Sequence, residues 1–498
     1  MASPIAAFSF DSQEEQRLLG ELSALEDRGK ANSKKANGIR KSLVRLYGKG
    51  RPSDAIPYQR EVLERAIDKK GAGSKQAVKA MTKLGTLERI AGRYDEAESH
   101  LQEAIEAGES NLGSSDGTVL DAKRQLATIY GKTWRPKQSL ELAKQVYDAA
   151  SGNWGGKPKL AMNAQADLAL AYTRTGQFDQ AKTLIDDAIA KAEDRGSDDI
   201  TALKLTLLQR RGNLAKLTGD FAAAIRDFEQ VFAQATAQWG KDSVKATGAL
   251  QALGAIYNSQ GRLDLAEKVL RQSVELRRQA LGQDSTKTAG SELRLAQTLD
   301  LKGDHEGAVR LARKAMATRI ALLGENSTNV LIDRRTLGNF LINAGQAAQA
   351  EEQLNLALQG VNRLTDGISV EKAQVRTLLG KAQLRQNKAA EAMANLEQAS
   401  QMYDQLFGAK SSNGAKTRAL YAKALSRTGN LTQAVAVLQR TTHGLNDYLE
   451  RRQIYSPLAR KQEEDLAREV QADYFDLLLQ AQEKNIKIGV DVAEESFR

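Results

Sequence analysis

The chain has 498 residues, 41% of them hydrophobic, with 72 basic and 62 acidic side chains for a formal net charge of +10. It contains no cysteine, which excludes disulfides, thiolate metal sites and thiol nucleophiles. No block of like charge suits a nucleic-acid tail, no apolar run approaches the ~18 residues of a membrane span, and the expected location is cytoplasmic.

In chain order, Met1 to Phe10 is mildly apolar but lacks the basic start and long apolar core of an export signal. Asp11 to Asp27 reads as one amphipathic helix, an N-terminal cap within a 1–33 leading segment. Next comes a recurring hexad, clearest as Gly92-Arg93-Tyr94-Asp95-Glu96-Ala97. Its first position falls at Gly50, Gly92, Trp134, Gly176, Gly219, Gly261, Gly303, Gly345, Asn387 and Gly429, with eight intervals of 42 residues and one of 43. A fixed period of this size means stacked helical hairpins, each packing on its neighbours.

Side-chain size follows the same period. Counted from the final alanine of the hexad, positions −13, −12, 0, +4 and +7 hold Leu84, Gly85, Ala97, Leu101 and Ala104. They hold Leu168, Ala169, Ala181, Ile185 and Ala188 in a later copy, and Leu337, Gly338, Ala350, Leu354 and Ala357 in another. Small residues at −12 and 0 let two helices cross closely, and large apolar ones at −13 and +4 fill the space around the crossing. A second glycine, as in Leu112-Gly113, Leu281-Gly282, Leu323-Gly324 and Phe407-Gly408, is expected to end the second helix as its C′ cap.

This pattern resembles the tetratricopeptide repeat over residues 34–447, ten units, with the 42-residue period of kinesin-light-chain-like repeats in place of 34. The resemblance implies an all-α, right-handed TPR superhelix of about ten helical hairpins with N- and C-terminal capping helices, more than 20 helices and no strand. It also implies that the first helix of each pair lines a concave groove that binds a protein or peptide.

Residues 448–498 form a separate C-terminal segment. Ser456-Pro457 suits a helix start, with serine as N-cap and proline at N1, and Leu466, Val470, Tyr474, Leu477 and Leu478 give that helix an apolar face. A turn is expected around Asn485 to Gly489 and another helix from Val490. Arg451-Arg452, Tyr474-Phe475-Asp476-Leu477-Leu478-Leu479 and Ala493 to Arg498 resemble the junction through which bacterial repeat proteins lead into a caspase-like CHAT protease domain. That likeness implies a regulatory TPR region whose effector domain lies beyond Arg498 or on a separate chain. The alternative is a stand-alone adaptor binding an acidic cargo peptide in the manner of kinesin light chains.

No catalytic, cofactor or metal set is expected within the chain. The three histidines, His100, His305 and His443, fall in separate repeats, and His305-Glu306 lacks the second histidine of a zinc-protease motif. Gly152 to Pro158 is one residue short of a phosphate loop and has proline where magnesium needs a hydroxyl.

The groove is where function is expected. Positions −18, −15, −11 and −8 should face it, and in ten repeats nine of these are basic and two acidic. The groove thus excludes acid, which suits an acidic partner. The candidate partner-binding residues are Lys79, Arg89, Arg124, Asn213, Asn258, Gln297, Arg335, Asn339, Lys381 and Lys423. The amides can bond a peptide backbone and the cations its carboxylates.

Overall fold

A computed structural model describes residues 12–48, 52–151, 158–193, 198–365, 367–408, 411–451 and 457–486. The described residues form 22 helices and no strand, the all-α repeat fold that the period implies. Helix α1 (Ser12–Glu26) precedes ten hairpins. These are α2 (Lys34–Tyr47) with α3 (Pro52–Lys70), α4 (Lys75–Ile90) with α5 (Tyr94–Leu112), α6 (Gly117–Lys132) with α7 (Pro136–Ala150), α8 (Pro158–Arg174) with α9 (Phe178–Glu193), α10 (Asp198–Leu217) with α11 (Phe221–Trp239), α12 (Val244–Ser259) with α13 (Leu263–Leu281), α14 (Thr286–Leu301) with α15 (His305–Leu323), α16 (Thr328–Asn343) with α17 (Ala347–Leu364), α18 (Val370–Arg385) with α19 (Ala389–Phe407), and α20 (Ser412–Arg427) with α21 (Leu431–Arg451). Helix α22 (Pro457–Glu483) follows.

Each hairpin is closed by a tight turn. After α4, the Arg93 N–H donates to Glu88 O at 2.8 Å, with Gly92 at φ 80°. This left-handed C′ conformation costs an L side chain about 1–2 kcal/mol. Trp134 (φ 57°) and Asn387 (φ 61°) adopt it nonetheless. The repeat frame holds the turn whatever residue fills it. Second helices end at Gly113, Gly282 and Gly408, the C′ glycines expected from sequence. First helices start on N-caps: Ser74, Ser243, Ser369 and Ser411 each accept an N–H from three residues on. Asp116 accepts from Thr118. Such caps contribute about 1 kcal/mol each.

The chain divides into two compact units. One comprises Met1–Lys216, Ala222–Leu295 and Lys314–Val330; the other comprises Leu217–Phe221, Ala296–Arg313 and Leu331–Arg498. In the first unit, the small residue at −12 meets the large one at +4 of its own hairpin. A Cβ on Gly85 would stand 2.7 Å from Leu101 Cγ, and one on Gly254 2.4 Å from Leu270 Cγ. Gly380 and Leu396 repeat the arrangement in the second unit at 2.4 Å. Ala97, Ala266 and Ala392 are fully buried at the same crossings.

A contact inside the first unit is absent from the repeat logic. The turn after α4 meets residues 323–328: Tyr94 Oη lies 2.7 Å from Thr328 Oγ1. Gly92 faces Ser327 so closely that a Cβ would stand 2.9 Å from Ser327 Cβ.

The ends of the array are covered. Leu18 and Leu22 of α1 are buried, and Tyr47 Oη donates to Glu15 at 2.9 Å. In the second unit, Val470, Tyr474 and Leu478 of α22 join a cluster with Leu425, Val435 and Leu438. Tyr474 is 2% exposed and Leu478 0%, so that face packs on α20 and α21 and is not open to a partner. Asn485 ends the segment at φ 54°. Ser456, the helix expected from Val490, the Gly152–Lys157 run and the first ten residues lie outside the described residues. None of the helices searched is long and apolar enough to cross a membrane.

Candidate functional site: the wall of first helices

In the first unit the first helices α4, α6 and α8 stand side by side and touch. Their opening turns line a groove of about 570 Å³ with Lys79 and Thr82, Thr118 and Asp121, Lys159 and Asn163. All six come from first helices, as the repeat resemblance implies for a binding face.

The candidates differ in how free they are. Lys79 is exposed in the groove. Arg89 is half-buried at the last turn of α4, and its Nε is buried without a hydrogen-bond partner. Arg124 is engaged: its guanidinium bonds Asp167 at 2.8 Å and reaches Asp121 at 3.5 Å. Asn213 is exposed and Asn258 half-buried. In the second unit, Arg335 is held by the buried Glu371 at 2.6 Å. Gln297, Asn339 and Lys381 are half-buried and Lys423 is exposed. The candidates thus stand on first helices of each unit, and Arg124 and Arg335 are repeat-to-repeat ties.

Two further cations lie on the first wall, Lys132 and Arg174, at the last turns of α6 and α8. Burial pushes Arg89, Lys132 and Arg174 below their ordinary values. Arg89 and Arg174 add to this at Lys132, and Arg210 adds to it at Arg174. Lys216, at the end of α10, is lowered by burial and by Arg294. On the second wall burial lowers Lys381, with Arg385 acting in the same direction and Asp300 against it. The sequence carried a signal for Lys132 and Arg174: each stands two residues before its turn residue, Trp134 or Gly176, one position beyond the slot chosen for the groove.

The described histidines that bond carboxylates do so within the packing. His100 Nδ1 lies 2.8 Å from Glu88 Oε2, a carboxylate that is fully buried. His305 Nδ1 lies 2.7 Å from Asp300, which also accepts from Asn343 at 3.0 Å. Among the described residues no group of three or more His, Asp or Glu is placed to hold a metal ion. The hydrogen bond to Glu88 raises His100 above the usual imidazole value. The folded state thus binds this proton more tightly than the unfolded chain does. The pair's contribution is complete below about pH 6.5 and is lost as pH rises through the higher folded-state value. Thermal melts from pH 6 to 9 should show the parent losing stability relative to His100→Gln. Parallel pH curves for the two would show that the pair does not titrate.

A tetratricopeptide-repeat family model matches residues 76–152 and 246–321, and a second such model matches residues 162–187. These segments of the chain are tetratricopeptide repeats. Similar solved structures include BtubC (BKLC) from P. vanneervenii, 19% identical over 46% of this chain and 92% of that one, with a TM-score of 0.41. A putative kinesin light chain of nearly identical TPR-like repeats from Podosopora anserina is 19% identical over 40% and 96%, with a TM-score of 0.34. A Rap protein complexed with Competence and Sporulation Factor is 12% identical over 72% and 100%, with a TM-score of 0.43. At these scores none bears on ligand or mechanism. No curated protein matches significantly.

Proposed function

We propose that the chain is a protein–protein interaction scaffold whose first-helix walls bind an acidic segment of a partner. The observation that carries this reading is the set of first-helix cations with no carboxylate of their own. Among the described residues, Lys79 and Arg89 in one unit, and Lys381 and Lys423 in the other, make no ion pair. Second-helix cations such as Lys182, Lys191 and Arg271 pair with acids one turn away. A wall of uncompensated cations gains most from a ligand that brings carboxylates.

On the finer reading, this is the regulatory region of a bacterial effector with a CHAT-type protease domain, supported by the junction-like residues Tyr474 to Leu479. The burial of Tyr474, Leu477 and Leu478 of α22 against α20 and α21 favours the adaptor alternative equally, because a cap needs the same residues. Sequencing the gene past Arg498 separates the two.

The binding reading is tested with a captured partner. Affinity should fall steadily with salt, since partly exposed charges are screened beyond about 8 Å at physiological ionic strength. Lys381→Gln together with Lys423→Gln should weaken binding about three- to tenfold, the scale of one or two partly exposed charge contacts. Lys268→Gln, exposed on a second helix, should leave it within about twofold. Binding that ignores salt and the first-helix changes contradicts the proposal.

A further inference from the structure

Arg89, Lys132 and Arg174 lie in the last turns of three consecutive first helices, 43 and 42 residues apart, with Arg89 one position earlier in its repeat than the other two. Helix α6 touches both α4 and α8, and packed helices stand about 8–10 Å apart, which sets the rung spacing. Gly131 makes room for the third rung: a Cβ there would stand 1.8 Å from Arg174 Nη1. The Arg174 guanidinium therefore lies against α6, next to Lys132. Among the described residues none of the three makes an ion pair. The nearby acid, Asp167, is held by Arg124 and Arg210 at 2.8 and 3.0 Å. Asp167 acts on Arg174 against the repulsion without bonding it, as do the negative ends of the cations' own helices, while burial strengthens the repulsion.

Three threonines precede the cations on the same helices. Thr86, Thr128 and Thr173 donate to the carbonyls of Thr82, Arg124 and Ala169 at 2.7, 2.9 and 2.9 Å. With the protons committed, their oxygens remain as acceptors for N–H groups of a ligand.

On the reading that these walls take acidic protein segments, we propose that Arg89, Lys132 and Arg174 form a ladder for a polyproline II segment carrying an acidic side chain at every third residue. The argument is one of pitch. A polyproline II helix turns once in three residues at about 3.1 Å each, so residues i, i+3 and i+6 share a face at about 9.3 Å intervals. A β-strand repeats a face at about 6.6 or 13 Å, which misses the rungs. An α-helix comes close only at every seventh residue, about 10.5 Å, and has no free backbone N–H for the threonines. Polyproline II leaves its backbone unpaired.

The test uses the full chain and two labelled 15-residue peptides of one composition. One is five Glu-Pro-Gln repeats; the other has its glutamates adjacent. Fluorescence anisotropy should show the periodic peptide binding about tenfold more tightly. Lys132→Glu and Arg174→Glu should each weaken it at least tenfold, the scale of a lost charge-assisted hydrogen bond, while Lys132→Arg keeps it. Circular dichroism should show these variants folded, and Lys132→Gln, which removes a repelling charge, guards against a folding artefact. If both peptides bind alike and both weaken in the wall variants, the three-residue register is wrong and the acidic-segment reading survives. If neither peptide responds to any wall variant, including Lys381→Gln, both readings fail. If polyphosphate or a single-stranded oligonucleotide outcompetes the periodic peptide through the same residues, the ligand class is wrong.

Discussion

Gly254→Leu should destabilise the array by about 1–3 kcal/mol, the usual cost of overpacking. A Cβ alone would stand 2.4–2.8 Å from three carbons of Leu270, and both residues belong to one hairpin whose neighbours pack on it. Urea unfolding followed by circular dichroism should show an earlier and broader transition, because a weakened repeat uncouples those on either side. The partner is identified by a double-mutant cycle. Leu270→Ala alone leaves a cavity and should cost about 2–5 kcal/mol. Combined with Gly254→Leu, the loss should be smaller than the two added together, since the new leucine enters the space vacated. Strict additivity would mean that the two side chains do not meet.

Tyr474→Ala should cost about 3–5 kcal/mol, the range for deleting a large buried aromatic. Tyr474 is 2% exposed and sits among Val470, Leu477 and Leu478 over α20 and α21. A terminal repeat has a neighbour on one side only, so it depends on its cap. The expected result is early melting of the C-terminal hairpin, seen as fast amide exchange in α20 and α21, with α4 to α8 still protected. Uniform loss of protection along the chain, or none, would contradict the cap.

The fold was legible because the period fixes it. Glycine or alanine at −12 and a bulky residue at +4 recur in phase, and the structure places Gly85 on Leu101 and Gly380 on Leu396. The N-caps carry the same period. Ser243, Ser285, Ser327, Ser369 and Ser411 recur every 42 residues, and each accepts an N–H at the start of a first helix. The site was less legible, because charge balance is set between repeats. Arg124 is bonded by Asp167, 43 residues on in the next repeat. Arg335 is likewise bonded by Glu371, 36 residues on. Lys132 and Arg174 fell one position outside the slot assigned to the groove, and a step of one residue turns a helical side chain by only about 100°. The contact of Tyr94 with Thr328 spans 234 residues, and no local pattern encodes it.

The claim that first helices carry the binding is tested most directly by hydrogen–deuterium exchange of the full chain with and without the periodic Glu-Pro-Gln peptide. Protection should concentrate in α4, α6 and α8, strongest toward their ends at Arg89, Lys132 and Arg174, and vanish in Lys132→Glu. Protection confined to second helices such as α5, α7 and α9, or to α22, would contradict it.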